Sequence, residues 1–231
     1  MKECKILGDR SAIAQGLIPF LQNDGYHVSG WNRDIPEKYL RRYSSGWDLL
    51  ICAIGSVAPV GHWSKVSKDA WEDSVHTNCI LPFKLLHDCW HSARPNASVC
   101  FLAGANPNRA GVNYSAYYTG KMALLKMIEN IDAETPEAKF FALAPGIVFT
   151  KIHQPTYDSG IVNQGLEDRR KVGGTPIRKI YDCLKWCVEQ PKNVVGGRNV
   201  CVSDAWGDEH SFSLADNLID NPSQFKLRRV E

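Results

Sequence analysis

Asp48-Leu49-Leu50-Ile51-Cys52-Ala53-Ile54-Gly55 is the stretch on which the fold turns. Six consecutive apolar residues, Leu49 to Ile54, stand between an acid and a glycine with no alternation of polar and apolar positions. A strand with one face in water alternates, so a short unbroken apolar run reads as a strand covered on both faces. Working outward, residues 98–104 (SVCFLAG) and 139–145 (KFFALAP) repeat the pattern, and residues 4–8, 27–31 and 199–203 read as further strands. Between them lie helical patterns at residues 12–22, 37–43, 68–93, 114–131 and 176–188, with Pro82 expected to bend the third. This alternation predicts an α/β protein: a Rossmann-like, doubly wound and mostly parallel sheet of about seven strands, with helices on both faces. No repeat or linker divides residues 1–231, which predicts a single domain.

The bulk composition excludes several classes of function. Basic and acidic residues number 27 and 25, a formal charge of +2, which gives no basic surface for nucleic acid or for a membrane. No apolar stretch approaches the roughly 20 residues that span a bilayer. The first strand starts almost at Met1 with no charged leader, so a cytoplasmic protein is expected. Of eight cysteines, Cys4, Cys52, Cys100 and Cys201 fall in strands and Cys79, Cys89, Cys183 and Cys187 on helices. Without a second pair at ligand spacing to accompany Cys183 and Cys187, these read as reduced structural thiols, and no metal is implied.

Chemistry concentrates at the carboxyl ends of the strands, where open α/β sheets bind ligands. Gly8-Asp9-Arg10-Ser11-Ala12-Ile13-Ala14 joins the first strand to the first helix, where small residues let a pyrophosphate approach a helix N-terminus. The second strand ends in Asn32 and Arg33, with no carboxylate for a ribose 2′-hydroxyl and one fixed cation for a 2′-phosphate. Arg10 is placed to join that cation, so NADP(H) is favoured and NAD(H) is the second candidate. The ordinary reading of Arg33 is a solvated loop residue, and Asp34 beside it argues in that direction. The strongest signal is Tyr117-Tyr118-Thr119-Gly120-Lys121, which puts Tyr117 and Lys121 one helical turn apart on one face. An ammonium beside a phenol favours phenolate, so the pair is expected to lower the tyrosine pKa and to make a general acid/base.

With these residues in place, the chain resembles the compact branch of the short-chain dehydrogenases/reductases over nearly its whole length. Tyr114 to Leu125 (YSAYYTGKMALL) is similar to the family's catalytic helix, and Thr77-Asn78 to its active-site asparagine. Ala53-Ile54-Gly55 lies where the family has Asn-Ala-Gly, and residues 144–150 (APGIVFT) match its Pro-Gly-x-Val-x-Thr segment. The resemblance implies that Tyr117 is the general acid/base, that Lys121 holds the nicotinamide ribose, and that Asn78 positions a water in a proton relay. It further implies cofactor contacts from Gly8, Arg10, Ser11, Ala12, Ile13, Asn32, Arg33, Ala53, Ile54, Gly55, Pro145, Gly146, Val148 and Thr150. The ordinary reading of Asn78 is a polar cap on the helix kink before Pro82.

One departure stands out. The family's substrate-holding serine falls thirteen residues before its tyrosine, and that position here is Gly104, flanked by Ala103 and Ala105. Asn106 is the nearest group able to substitute, so Gly104 and Asn106 mark the substrate side. The reading is therefore an NAD(P)(H)-dependent oxidoreductase interconverting a carbonyl and an alcohol. The rivals are a catalytically impaired nucleotide-binding relative with a regulatory or structural role, and a sugar-nucleotide-modifying enzyme, which the short C-terminal part disfavours. Residues 150–175 form a long polar loop carrying Lys151, His153, Arg169, Arg170 and Lys171, consistent with a small polar or sugar-like substrate. The tail, residues 204–231, is expected to close the pocket, to contact a second subunit, or to be disordered at its charged end. As in the family, a homodimer or homotetramer is expected, with no nucleic-acid or membrane partner.

Overall fold

The computed structural model describes residues 1–35, 46–104, 109–161, 164–207 and 214–228. Its centre is one sheet of six parallel strands: β1 (Lys2–Leu7), β2 (Tyr26–Trp31), β3 (Trp47–Cys52), β4 (Ala93–Leu102), β5 (Lys139–Ala144) and β6 (Asn199–Cys201). They lie in the order β2-β1-β3-β4-β5-β6. Six strands, against the seven expected, are present among the described residues. The helix expected at residues 37–43 lies outside them.

The unbroken apolar runs have the cause inferred for them. Along β5, Phe141 and Leu143 enter one core and Phe140 and Ala142 the other. The first core is completed by helix α1 (Ala12–Asn23) through Leu17 and Leu21, and by the helix Ile177–Glu189 through Ile180, Leu184 and Cys187. The second is completed by the helices that carry the site. All eight thiols are unpaired, and five of those in strands or helices are fully buried at 2% exposure or less besides Cys52. Burial pushes the Cys4, Cys52, Cys89 and Cys100 thiols up, so they stay protonated and pack as small apolar groups. Cys201 departs from the expectation and is only half-buried, at the end of the short edge strand β6.

The segment expected as one helix over residues 68–93 is broken differently. It forms α2 (Lys68–Val75), a π turn (His76–Ile80), α3 (Leu81–Cys89) and a short 3-10 turn (Trp90–Ser92). Pro82 sits in the first turn of α3, directly after the π turn. Next come α4 (Ser115–Glu134) and, within residues 150–175, a 3-10 turn (Lys151–His153), α5 (Gln154–Asp158) and α6 (Gln164–Lys171). That region was expected to be an irregular loop. After α7 (Ile177–Glu189) come α8 (Lys192–Val195) and α9 (Leu214–Asp220). Among the described residues no helix is long and apolar enough to cross a membrane.

The described tail is held by one buried cation. Arg198, 3% exposed, donates to the carbonyls of Asn193, Val194, Leu218, Asn221 and Gln224. It thereby satisfies carbonyls at the carboxyl ends of α8 and α9, which have no acceptor role left inside their own helices. The peptide N–H of Asn199 adds a bond of 2.9 Å to the Phe225 carbonyl. Ordered tail therefore replaces the disorder expected, as far as Arg228.

Candidate active site

At the nucleotide end, Gly8 adopts φ +83°, and a side chain there would stand about 3.0–3.1 Å from Ile54 and Ala53 at the end of β3. Only glycine serves a left-handed turn packed this closely. The peptide N–H groups of Gly8 and Asp9 both donate to the Trp31 carbonyl, at 2.7 and 3.2 Å, fastening the turn to the end of β2. The Ser11 hydroxyl accepts from the Ala14 N–H at 3.1 Å and so starts α1. Ala12 and Ile13 form the first turn of that helix, at its positive end. A pyrophosphate fits this corner. Arg10, expected to join the phosphate clamp, forms an exposed ion pair with Asp34. Arg33 is exposed, and the Asn32 amide donates to Asp9 Oδ1 at 2.9 Å.

At the catalytic end, α4 carries Tyr117 and Lys121, and the π turn packed against it carries Asn78. Lys121, 4% exposed on α4, donates to the Leu102 carbonyl at 3.0 Å and the Ile54 carbonyl at 3.5 Å, bridging the ends of β4 and β3. Asn78 is fully buried in the π turn. Its amide donates to the carbonyls of Ser56 (2.8 Å) and Ser74 (2.9 Å), and its Oδ1 accepts from the Ser56 N–H (3.2 Å). So Asn78 both closes the distorted helix and pins the loop after β3. A side chain at Gly55 would meet Asn78 Oδ1 at 3.1 Å and Lys121 Nζ at 3.2 Å, and one at Gly120 would stand 2.8 Å from Asn78 Cβ. These two glycines let the three elements converge.

The charge balance differs from the expectation. Burial pushes the Tyr117 phenol up to about 12, with Tyr118 adding to the shift, and Lys121 does not pull it down. Burial lowers the Lys121 ammonium to about 8. At neutral pH Tyr117 is a protonated donor rather than a phenolate.

Gly104 takes the place inferred for it. A Cβ added there would lie 3.4 Å from the Tyr117 hydroxyl, an ordinary contact that leaves room for a serine. Asn106 lies outside the described residues. Gly104→Ser is expected to raise carbonyl reduction by about tenfold to a hundredfold by supplying an oxygen-binding donor. An unchanged rate in a carbonyl-reduction assay would show that another group already fills that role.

Along the remaining rim, Gly146 (φ +71°) is packed against Thr175, and the Thr175 N–H donates to the Ile147 carbonyl at 2.7 Å. Pro145 is buried, Val148 packs against the first core, and the Thr150 hydroxyl accepts from the Ile152 N–H. Part of the rim's charge is already matched: Arg170 stacks over Tyr157 at 5.2 Å and Lys171 pairs with Asp168 at 3.4 Å, while Lys151 and Arg169 stay exposed. Sequence reasoning missed Ser56 and Ser74, which hold Asn78. Ser74 had a signal, standing four residues before Asn78 on one helix face.

No family model matches the chain, and no curated protein is significantly similar to it. Solved structures are. A small-chain dehydrogenase in complex with NADPH superposes with a TM-score of 0.73 at 16% identity, covering 87% of this chain and 95% of that one. The fold is that of the short-chain dehydrogenases/reductases. A short-chain dehydrogenase/reductase from Saccharomyces cerevisiae gives 0.72 at 16% identity, over 88% of this chain and 97% of its own. The aldohexose dehydrogenase of Thermoplasma acidophilum gives 0.73 at 14%, over 87% and 92%. The sheet thus has the short-chain dehydrogenase/reductase architecture.

Proposed function

We propose that the protein is an NAD(P)(H)-dependent oxidoreductase of the short-chain dehydrogenase/reductase type, interconverting a carbonyl and an alcohol. The observation that carries this reading is the convergence of Tyr117, Lys121 and Asn78 about Gly55 and Gly104, at the carboxyl ends of β3 and β4. A bound nicotinamide dinucleotide supplies or takes up the hydride at the substrate carbon. Gly8, Ser11, Ala12 and Ile13 would hold its pyrophosphate, and Ala53, Ile54, Gly55, Pro145, Gly146, Val148 and Thr150 would border it further along. Tyr117, protonated at neutral pH, gives its proton to the carbonyl oxygen in reduction and regains it in alcohol oxidation. Lys121 fixes the spacing between α4 and the strand ends and places a positive charge beneath the site. Asn78 keeps the loop after β3 in register with α4.

The second reading is a nucleotide-binding protein without turnover, favoured by one observation: Gly104 offers no hydroxyl to a substrate oxygen facing Tyr117. A titration with NADH and NADPH, followed by nicotinamide fluorescence, tests both readings, and a panel of aldehydes and ketones separates them. Binding with reduction of a panel member supports the enzyme. Binding without turnover across the panel supports the second reading, and no binding of either dinucleotide refutes both.

A further inference from the structure

The adenosine end of the site has a feature that the strand ending in Asn32 and Arg33 does not reveal. Asp9 folds back over β2, so that a Cβ on Gly30 would lie 2.2 Å from Asp9 Oδ2 and 2.6 Å from Asp9 Cγ. Only a glycine at position 30 admits the carboxylate there. The Asn32 amide nitrogen donates to Asp9 Oδ1 at 2.9 Å, and its oxygen accepts from the Asp34 N–H at 3.1 Å, which ties Asn32 to both acids. Arg10 forms an exposed ion pair with Asp34. The Asp9 carboxylate thus lies beside the end of β2, with Asp34 close by and the exposed Arg33 as the opposing cation.

We infer that Asp9 is the residue that selects between the two dinucleotides, and that it selects NAD(H). The inference rests on the nucleotide-binding reading above. A carboxylate fixed at this strand end accepts a hydrogen bond from a ribose 2′-hydroxyl and repels a 2′-phosphate. The carboxylate comes from the glycine turn rather than from β2, which is how a chain with asparagine at the strand end still presents an acid.

The test is the ratio of dissociation constants for NADH and NADPH, measured by fluorescence titration of the full chain and two variants. Asp9→Asn keeps the oxygen that accepts from Asn32 and removes the charge. Asp34→Asn breaks only an exposed ion pair and frees Arg10, so it folds even if the first variant does not. The unchanged protein is expected to bind NADH about tenfold or more tightly than NADPH. Asp9→Asn is expected to shift the ratio toward NADPH by about tenfold, and Asp34→Asn to shift it in the same direction. Tighter binding of NADPH by the unchanged protein overturns the inference, as does a ratio that neither variant moves by more than about twofold. Those outcomes leave the nucleotide reading standing. Failure to bind either dinucleotide sinks that reading and the inference with it.

Discussion

Tyr117→Phe is expected to slow carbonyl reduction by ~10²–10⁴-fold while leaving NADH affinity within about twofold. The substitution removes one oxygen and keeps the ring, so the edge-on packing with Tyr118, at 5.7 Å between centroids, survives. Lys121 and Asn78 make their bonds to backbone and serine groups of other segments, none of them through the phenol. The loss therefore falls on proton delivery alone. With its phenol pushed up to about 12 by burial, the group is protonated at neutral pH, so what is deleted is a proton donor. Single-turnover reduction of a substrate from the aldehyde and ketone panel measures it. A rate within about tenfold of the unchanged protein would remove Tyr117 from the chemistry.

Arg198→Met is expected to cost about 3–5 kcal/mol of stability. The side chain volume is roughly kept, but five carbonyls lose a charged donor and those that stay buried lose any donor. Burial lowers the arginine pKa only in the sense of making its charge costly, and a guanidinium remains charged at every accessible pH. Lysine, a single point donor, should recover less than half of the loss because it cannot fork among separate carbonyls. Urea unfolding gives the magnitude, and hydrogen exchange over residues 214–228 shows whether the tail detaches first. A loss under about 1 kcal/mol would mean that water already satisfies these carbonyls.

What was legible in the sequence depended on how local its cause was. β3, β4 and β5 were plain because burial on both faces leaves its mark residue by residue in an unbroken apolar run. Tyr117 and Lys121 were plain because a helical turn fixes their spacing without help from the rest of the chain. Asp9 was silent, since its role arises only when a turn folds over Gly30, 21 positions away along the chain's path through α1. Arg198 was silent for the same reason: its carbonyl partners span Asn193 to Gln224. α6 escaped because its sequence, QGLEDRRK, carries one buried apolar residue, Leu166, and so has no apolar period to read. The Tyr117 phenol is pushed up rather than down because its shift comes from burial, which a one-turn spacing on a helix does not disclose.

The π turn at His76–Ile80 has a consequence for which lengths of this segment are tolerated. A five-residue turn carries one residue more than an α-helical path, and that residue advances the helical phase by about 100°. α2 turns Trp71 toward Ser115 of α4, while α3 turns Leu85, Leu86 and Cys89 into the second core. The two faces are out of phase, and the extra residue is the adjustment between them. Deleting any one residue between His76 and Ile80 would let the backbone relax into an unbroken α-helix, yet it would swing one of the two faces away from its partner. Apart from Asn78, which ties this turn to Ser56 and Ser74, the chain can change the identity of residues here more readily than their number.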